Sequence, residues 1–330
     1  MNESVFVTQK MTSSFADGWH IWGWEVSLYL FLGGLTAGIL ILSAMSLLKK
    51  KEELPVSSKL AILWAPIFLS LGMFFLFLDL TNKINVLRFY MTFHVTSVMS
   101  WGSWILLVIY PVSILLLLSV MQEGYPGIYK FIRKNLEPLA HGKLLKVFDL
   151  LVDFSIKKRD AIAKIAIPSG IALGIYTGIL LSAFNARPLW NSAILGPLFL
   201  VSGISTGTAF VLLLSSGKER KLLLSVDSKL ILTEIFILFL FFIGQITGGA
   251  QRRDAVMILF KGDIIAPIFW IFVVFTGLLL PLILEWLEER GIEVPQKLQP
   301  LFVLAGGLAL RIVLVEGAFI LRELSTKALL

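Results

Sequence analysis

The chain has no cysteine and only three histidines, and charged residues make up just 15% of it. Without cysteine there are no disulfides, no thiolate nucleophile and no iron–sulfur cluster held by this chain's own thiolates. A membrane-embedded b-type haem takes two histidines from facing helices, whereas His141 falls in a loop and His20 and His94 stand at the edge of apolar runs. The sequence therefore reads as haem-free. A zinc site would need cysteine or a close His–carboxylate spacing, and neither is present. No strand leads into a glycine-rich loop, which excludes a phosphate cradle. The net charge of +7 is spread over loops and forms no nucleic-acid-binding face. Soluble domains carry about 25% charged residues. At 57% hydrophobic, this chain lacks the polar surface to cover a water-exposed globule.

What it has in abundance is apolar runs. There are eight, at about 24–48, 60–80, 95–121, 164–184, 196–216, 230–249, 264–286 and 301–321. Roughly 20 apolar residues suffice for a helix to cross a bilayer core. Backbone groups in lipid must be satisfied within the segment, and the runs lack the period-2 alternation of a barrel, so they are helices. The first run is too long for a signal-peptide core and no small-residue cleavage site follows it, so it is expected to remain as a span. The fold class is all-α: a polytopic membrane protein of about eight transmembrane helices.

Lysine and arginine favour alternate loops. Lys49, Lys50, Lys51 and Lys59, the cluster from Lys130 to Lys164, the group from Lys218 to Lys229, and Arg290 with Lys297 outnumber those on the opposite side. The richer side is expected to be cytoplasmic, which puts the chain in the inner (cytoplasmic) membrane with both termini external. The insertion at 122–163 then lies on the cytoplasmic side. Its mixture of apolar and basic residues suits an amphipathic stretch along anionic headgroups. Docking of a cytoplasmic partner is the alternative, although charge runs of this kind are usually solvated faces.

Parts of the chain recur. GGLTAG at 33–38 matches SGISTG at 202–207, Trp101 and Pro111 fall opposite Trp270 and Pro281, and SGIALG at 169–174 resembles GGLALR at 306–311. These offsets predict a repeat of four helices. Four is even, so the halves enter the membrane from the same side, as a parallel repeat of two four-helix bundles. The expected organisation is an external N-terminal segment at 1–23, a first bundle at 24–184 containing the insertion, and a second bundle at 185–330. The glycines at 33, 34 and 38 read as packing residues.

A charge inside a membrane helix costs roughly 2.5–3.5 kcal/mol at the centre, so each one is a functional candidate. They are Glu25, Asp79, Glu234, Arg311 and Glu316. Polar motifs gather at the outer helix ends: WHIWGWE from Trp19, the turn with Asp79, Arg88 and His94, YTGILLSAFNARPLWN with Tyr176, Asn185, Arg187 and Trp190, and GQITGGAQRRD. A quinone fits this convergence. Its head group needs hydrogen-bond partners, proton donors or acceptors, and an apolar path for its tail. His20, Glu25, Asp79 and Tyr176 are groups of that kind, and Trp22 and its neighbours can wall the ring, although tryptophan populates membrane interfaces anyway. Arg88 and Arg187 also suit pairing with carboxylates or holding loop structure. Glu234, Arg311 and Glu316 are candidates for a proton path from the opposite side, or for buried ion pairs between helices.

The stretches YLFLGGLTAG, LDL…R…SVMSWGSW, YTGILLS…RPLWN…P.LFLVSGISTG and GG.ALR resemble the NrfD/PsrC family over about residues 19–316. The resemblance implies a haem-free membrane subunit of a quinol dehydrogenase or quinone-coupled oxidoreductase of anaerobic respiration, not active alone. Such a subunit exchanges electrons and protons between a quinone (menaquinone or a relative) and a ferredoxin-like multi-cluster iron–sulfur subunit on the outer face. A molybdopterin or multihaem catalytic subunit often lies beyond. It also implies a quinone pocket at the outer end of the first bundle, with His20 and Tyr176 similar to quinone-contacting residues. Asp79, Arg88, Asn185 and Arg187 fall in or beside the shared external motifs. Two other readings stand beside it: a membrane anchor with no quinone site, and an ion- or proton-translocating subunit.

Overall fold

The computed structural model describes residues 23–49, 54–80, 83, 90–138, 142–184, 187–261 and 264–327, and only the backbone of 319–327. No strand occurs among the described residues. In chain order the helices are α1 (Trp24–Leu48), α2 (Val56–Asp79), α3 (Val98–Gly124), α4 (Pro126–Leu136), α5 (Lys143–Lys157), α6 (Arg159–Ser182), α7 (Leu195–Leu214), α8 (Gly217–Thr247), α9 (Ala250–Val256), α10 (Ile265–Glu289) and α11 (Leu298–Lys327). All but α4, α5 and α9 are long and apolar enough to cross a membrane, eight in all among the described residues.

α1 and α7 are the centre. Nearly every side chain of α1 from Val26 to Ala44 is buried, as expected of a helix apolar on all sides. It packs on α2, α6, α7 and α11. The α1–α7 contact is made by backbone. A Cβ added to Gly207 would lie 2.6 Å from Gly38 Cα, and one added to Gly203 would lie 3.0 Å from Gly34 Cα. Four-residue spacing of small residues on both helices permits this approach. These are the glycines that the repeat set opposite one another. The outward faces carry apolar side chains such as Phe236, Phe239, Phe272 and Phe275, which suit lipid.

Two sets of contacts mark the two ends. At the basic end, Arg220 pairs with Glu288 at 3.0 Å, and Glu123 with Lys59 at 2.7 Å and Arg159 at 2.8 Å. Glu219 there accepts from the backbone N–H of Val56 (3.0 Å) and Ser57 (2.7 Å), capping the start of α2. At the opposite end, Trp190 Nε1 donates to the Leu314 carbonyl at 2.6 Å and Gln245 Nε2 to the Leu189 carbonyl at 2.8 Å.

The structure departs from the sequence boundaries most at α8. The apolar run begins near 230, yet the helix starts at Gly217. The added turns hold Glu219, Arg220 and Asp227 on the buried face, where Glu219 accepts hydrogen bonds from Val56 and Ser57 and Arg220 pairs with Glu288, so a stretch that reads as loop is helix. In α10, residues Ile268–Leu279 adopt the wider π geometry. Pro267 and Pro281 bracket that stretch, each lacking the N–H an α-helical ladder uses.

Candidate functional site

Glu25 occupies the first turn of α1, where free backbone N–H groups and the helix dipole favour a carboxylate. Asp79 is the last residue of α2, and its carboxylate accepts a hydrogen bond from the Gly23 backbone just before α1. This link draws two helix ends together. Glu316 of α11 joins them: Gly23, Trp24, Glu25, Leu78, Asp79 and Glu316 line a cavity of about 520 Å³ at the end opposite the basic loops. Trp24 packs edge-on against Phe75 at 5.8 Å between ring centroids and is 56% exposed, so the cavity opens beside an aromatic wall. Three carboxylates around an open, partly apolar pocket can accept hydrogen bonds and hold or release protons.

The other predicted site residues are distributed differently. His20, Trp22, Arg88 and Asn185 lie outside the described residues. Tyr176 in α6 is buried and does not line the cavity; its phenol presses on Gly102 of α3, where an added Cβ would meet the ring, and Tyr29 and Tyr90 lie nearby. Arg187 Nη1 donates to the Ala318 carbonyl at 3.0 Å. With Trp190 it fastens the segment after α6 to α11, on either side of Glu316 along the chain. His94 sits in the turn before α3, where its backbone N–H donates to Ser100 Oγ at 3.0 Å.

A second polar cluster lies inside the bundle. Arg311 is fully buried and donates through Nη1 to Ser202 Oγ at 2.6 Å and to the Gly307 carbonyl at 2.8 Å. The same Ser202 hydroxyl hydrogen-bonds Glu234. Beside them is a cavity of about 10 Å³, roughly the space of one water, lined by Ser202, Thr206, Glu234 and the π stretch of α10. Two turns towards the basic end, Asp227 accepts from Ser205 Oγ at 2.9 Å, while its Oδ2 has no protein partner. Sequence reasoning found Glu234 and Arg311 and missed Asp227. The seven-residue spacing of Arg220, Asp227 and Glu234 on one helical face was the signal available. Among the described residues no group of His, Asp and Glu has the makings of a metal site.

These features define a multi-pass helical membrane protein with a carboxylate-lined pocket at one membrane end and a buried charge cluster beneath it. The family model described as "Polysulphide reductase, NrfD" matches residues 12–322, and the chain belongs to the NrfD family. It is similar to a chain of the polysulfide reductase of Wolinella succinogenes, with 33% identity over 308 residues covering 88% of this chain and 92% of that protein. It is also similar to protein NrfD of Escherichia coli K12, at 28% identity over 86% of this chain and 90% of that one. A subunit of the selenate reductase of Mesobacillus selenatarsenatis is 25% identical over 96% of this chain and 78% of its own.

Proposed function

We propose that this chain is the membrane subunit of a respiratory oxidoreductase complex and exchanges electrons and protons between a membrane quinone and an iron–sulfur partner subunit. The observation that carries the reading is the meeting of Glu25, Asp79 and Glu316 beside Trp24 in one open pocket at a single membrane end. A quinol releases two protons and two electrons on oxidation, and carboxylates at the rim are suited to take the protons. The family and the relatives named for polysulfide and selenate reductases support the complex. The chain holds no cysteine, so the clusters belong to the partner. His20, Trp22, Asn185 and Arg187 complete the proposed quinone site, and Tyr176 is proposed to act on it from its buried position against α3. We place it on the outer face of the inner membrane, with the basic loops cytoplasmic and both termini external.

The test is turnover in the assembled complex. Glu25→Gln and Tyr176→Phe are expected to lower quinol-dependent electron delivery while leaving the complex intact. Intact turnover in both variants would make the chain an anchor.

A second part of the reading rests on Asp227. Its unpartnered Oδ2, the water-sized cavity beside Glu234 and the Ser202–Arg311 link support a proton route through α7, α8 and α10. Glu285 of α10 is close enough to interact with Asp227 and extends this route towards the basic end. Glu316, in the pocket, is its outer terminus.

A further inference from the structure

The α4–α5 hairpin is the largest feature that neither the pocket nor the buried cluster uses. It is built as a unit: Arg133 Nη2 pairs with Asp149 at 2.9 Å, and the Tyr129 and Phe148 rings stand 5.9 Å apart. Both of its ends are fixed at the boundary of the spanning bundle. α4 leaves α3 through Tyr125 alone, whose hydroxyl donates to the Leu60 carbonyl at 2.7 Å. α5 enters α6 through Lys158 alone, and Arg159 and Lys59 both hold Glu123 at the end of α3. The hairpin therefore lies at the level where those helices leave the membrane.

Its surface is divided into three. At 100° per residue, Val152 and Ser155 form a buried face of α5 turned to the bundle. Lys146, Asp149 and Asp153 form a polar face. Leu144, Val147, Leu150, Leu151 and Phe154 form a third face that is apolar and exposed, with Leu150 at 69%. On α4 no residue is buried, and Phe131, also 69% exposed, continues the apolar surface, flanked by Lys130 and Lys134 with Arg133 on the opposite face. An apolar face of this size is disfavoured in water, yet the segment is too basic to be a buried protein core: residues 126–159 hold eight Lys/Arg and three Asp/Glu. An apolar stripe bordered by lysines whose stems can reach up to headgroups is the pattern of a helix lying in a membrane interface.

We infer that α4 and α5 form an anionic-lipid-binding hairpin, with Phe131, Leu150 and Phe154 in the acyl boundary and Lys130, Lys134, Lys143, Lys146 and Lys157 on acidic headgroups. The occupant of this face is the leaflet on the basic side. A soluble protein is disfavoured because both ends of the hairpin hold it at the membrane boundary.

The absence of cysteine makes the test direct. Leu150→Cys and Asp153→Cys are made separately in the full chain, labelled with bimane, and reconstituted into vesicles. One set is phosphatidylcholine alone and the other contains phosphatidylglycerol, each doped with acyl-chain nitroxide lipid. Both sites are exposed, so folding is not at stake. The Leu150 label is expected to be quenched strongly with phosphatidylglycerol and less without it, and the Asp153 label to stay unquenched in both. Adding Lys130→Gln, Lys134→Gln and Lys146→Gln is expected to remove the effect of phosphatidylglycerol. Equal quenching at 150 in both vesicle types would overturn the role of acidic headgroups. Absence of quenching at 150, or its shielding only when soluble protein is added, would overturn the inference entirely.

Discussion

Ser202 Oγ accepts a hydrogen bond from Arg311 Nη1 at 2.6 Å and hydrogen-bonds Glu234, so one hydroxyl of α7 joins a cation of α11 to an acid of α8. The arrangement answers the cost of burying a guanidinium, whose remaining protein contacts are the Gly307 and Phe199 carbonyls and the face of the Phe199 ring at 5.0 Å.

Removing one member leaves the other charge uncompensated. Glu234→Gln or Arg311→Gln alone is expected to cost about 1.5–3 kcal/mol, the loss of a hydrogen bond to a charged group, since the two meet through Ser202 and not in a direct ion pair. The double variant is expected to lose less than the sum of the two, because each single change already abolishes the interaction. Unfolding of the purified protein, followed for all four members of the cycle, checks this. Additive losses would mean that the two groups do not interact.

The α1–α7 crossing makes a sharp steric prediction. At Gly207 even an alanine methyl would lie 2.6 Å from Gly38 Cα, so Gly207→Ala is expected to cost at least the 1–3 kcal/mol or so of ordinary overpacking. Gly127→Ala on α4, with nothing within 4 Å of the new methyl, is expected to be neutral or stabilising by up to about 1 kcal/mol. Thermal unfolding of the two variants separates these outcomes.

Arg187 acts on the pocket through Ala318. Arg187→Ala loses a charge-assisted hydrogen bond of about 1.5–3 kcal/mol and loosens the segment that lies against α11 beside Glu316. Faster proteolysis after α6 and weaker binding of a quinone-site inhibitor are the expected signs. Unchanged proteolysis would show that Trp190 and Gln245 hold the segment without Arg187.

Asp227→Asn keeps the shape of its side chain and the contact with Ser205 but removes the transferable proton. In vesicles containing the complex, proton uptake from the basic side per quinone reduced is expected to fall markedly. Quinone reduction itself is expected to continue, since Asp227 lies away from the pocket. An unchanged ratio would leave Asp227 and Glu234 as structural groups.

Much of this was legible because membrane helices announce themselves by length and apolarity, and because alternate loops differ in charge. Glu25 and Asp79 fall at the same end by that alternation alone, and the structure brings them together. What escaped reading had local causes. Asp227 sits in the charged stretch 217–229, which a hydropathy window reads as loop, yet Glu219 is hydrogen-bonded, Arg220 is paired and the helix runs through it. Glu316 was grouped with Arg311 as a path residue. Five residues on a helix is a turn of about 140° beyond one full circuit, so Glu316 also lines the pocket, which its grouping with Arg311 did not show. The π stretch of α10 left no mark in composition. The division into two duplicated bundles stays our proposal, consistent with the facing glycines of α1 and α7.

The central claim is that a quinone binds beside Glu25, Asp79 and Glu316, and the most direct measurement is titration of a quinone-site inhibitor into the purified protein with tryptophan fluorescence as the readout. Saturable quenching is predicted, reduced by Trp24→Phe and shifted to roughly tenfold or more higher inhibitor concentration by Glu25→Gln, the loss expected for a hydrogen bond to a charged group. Quenching that rises linearly and is the same in wild type, Trp24→Phe and Glu25→Gln would contradict the account.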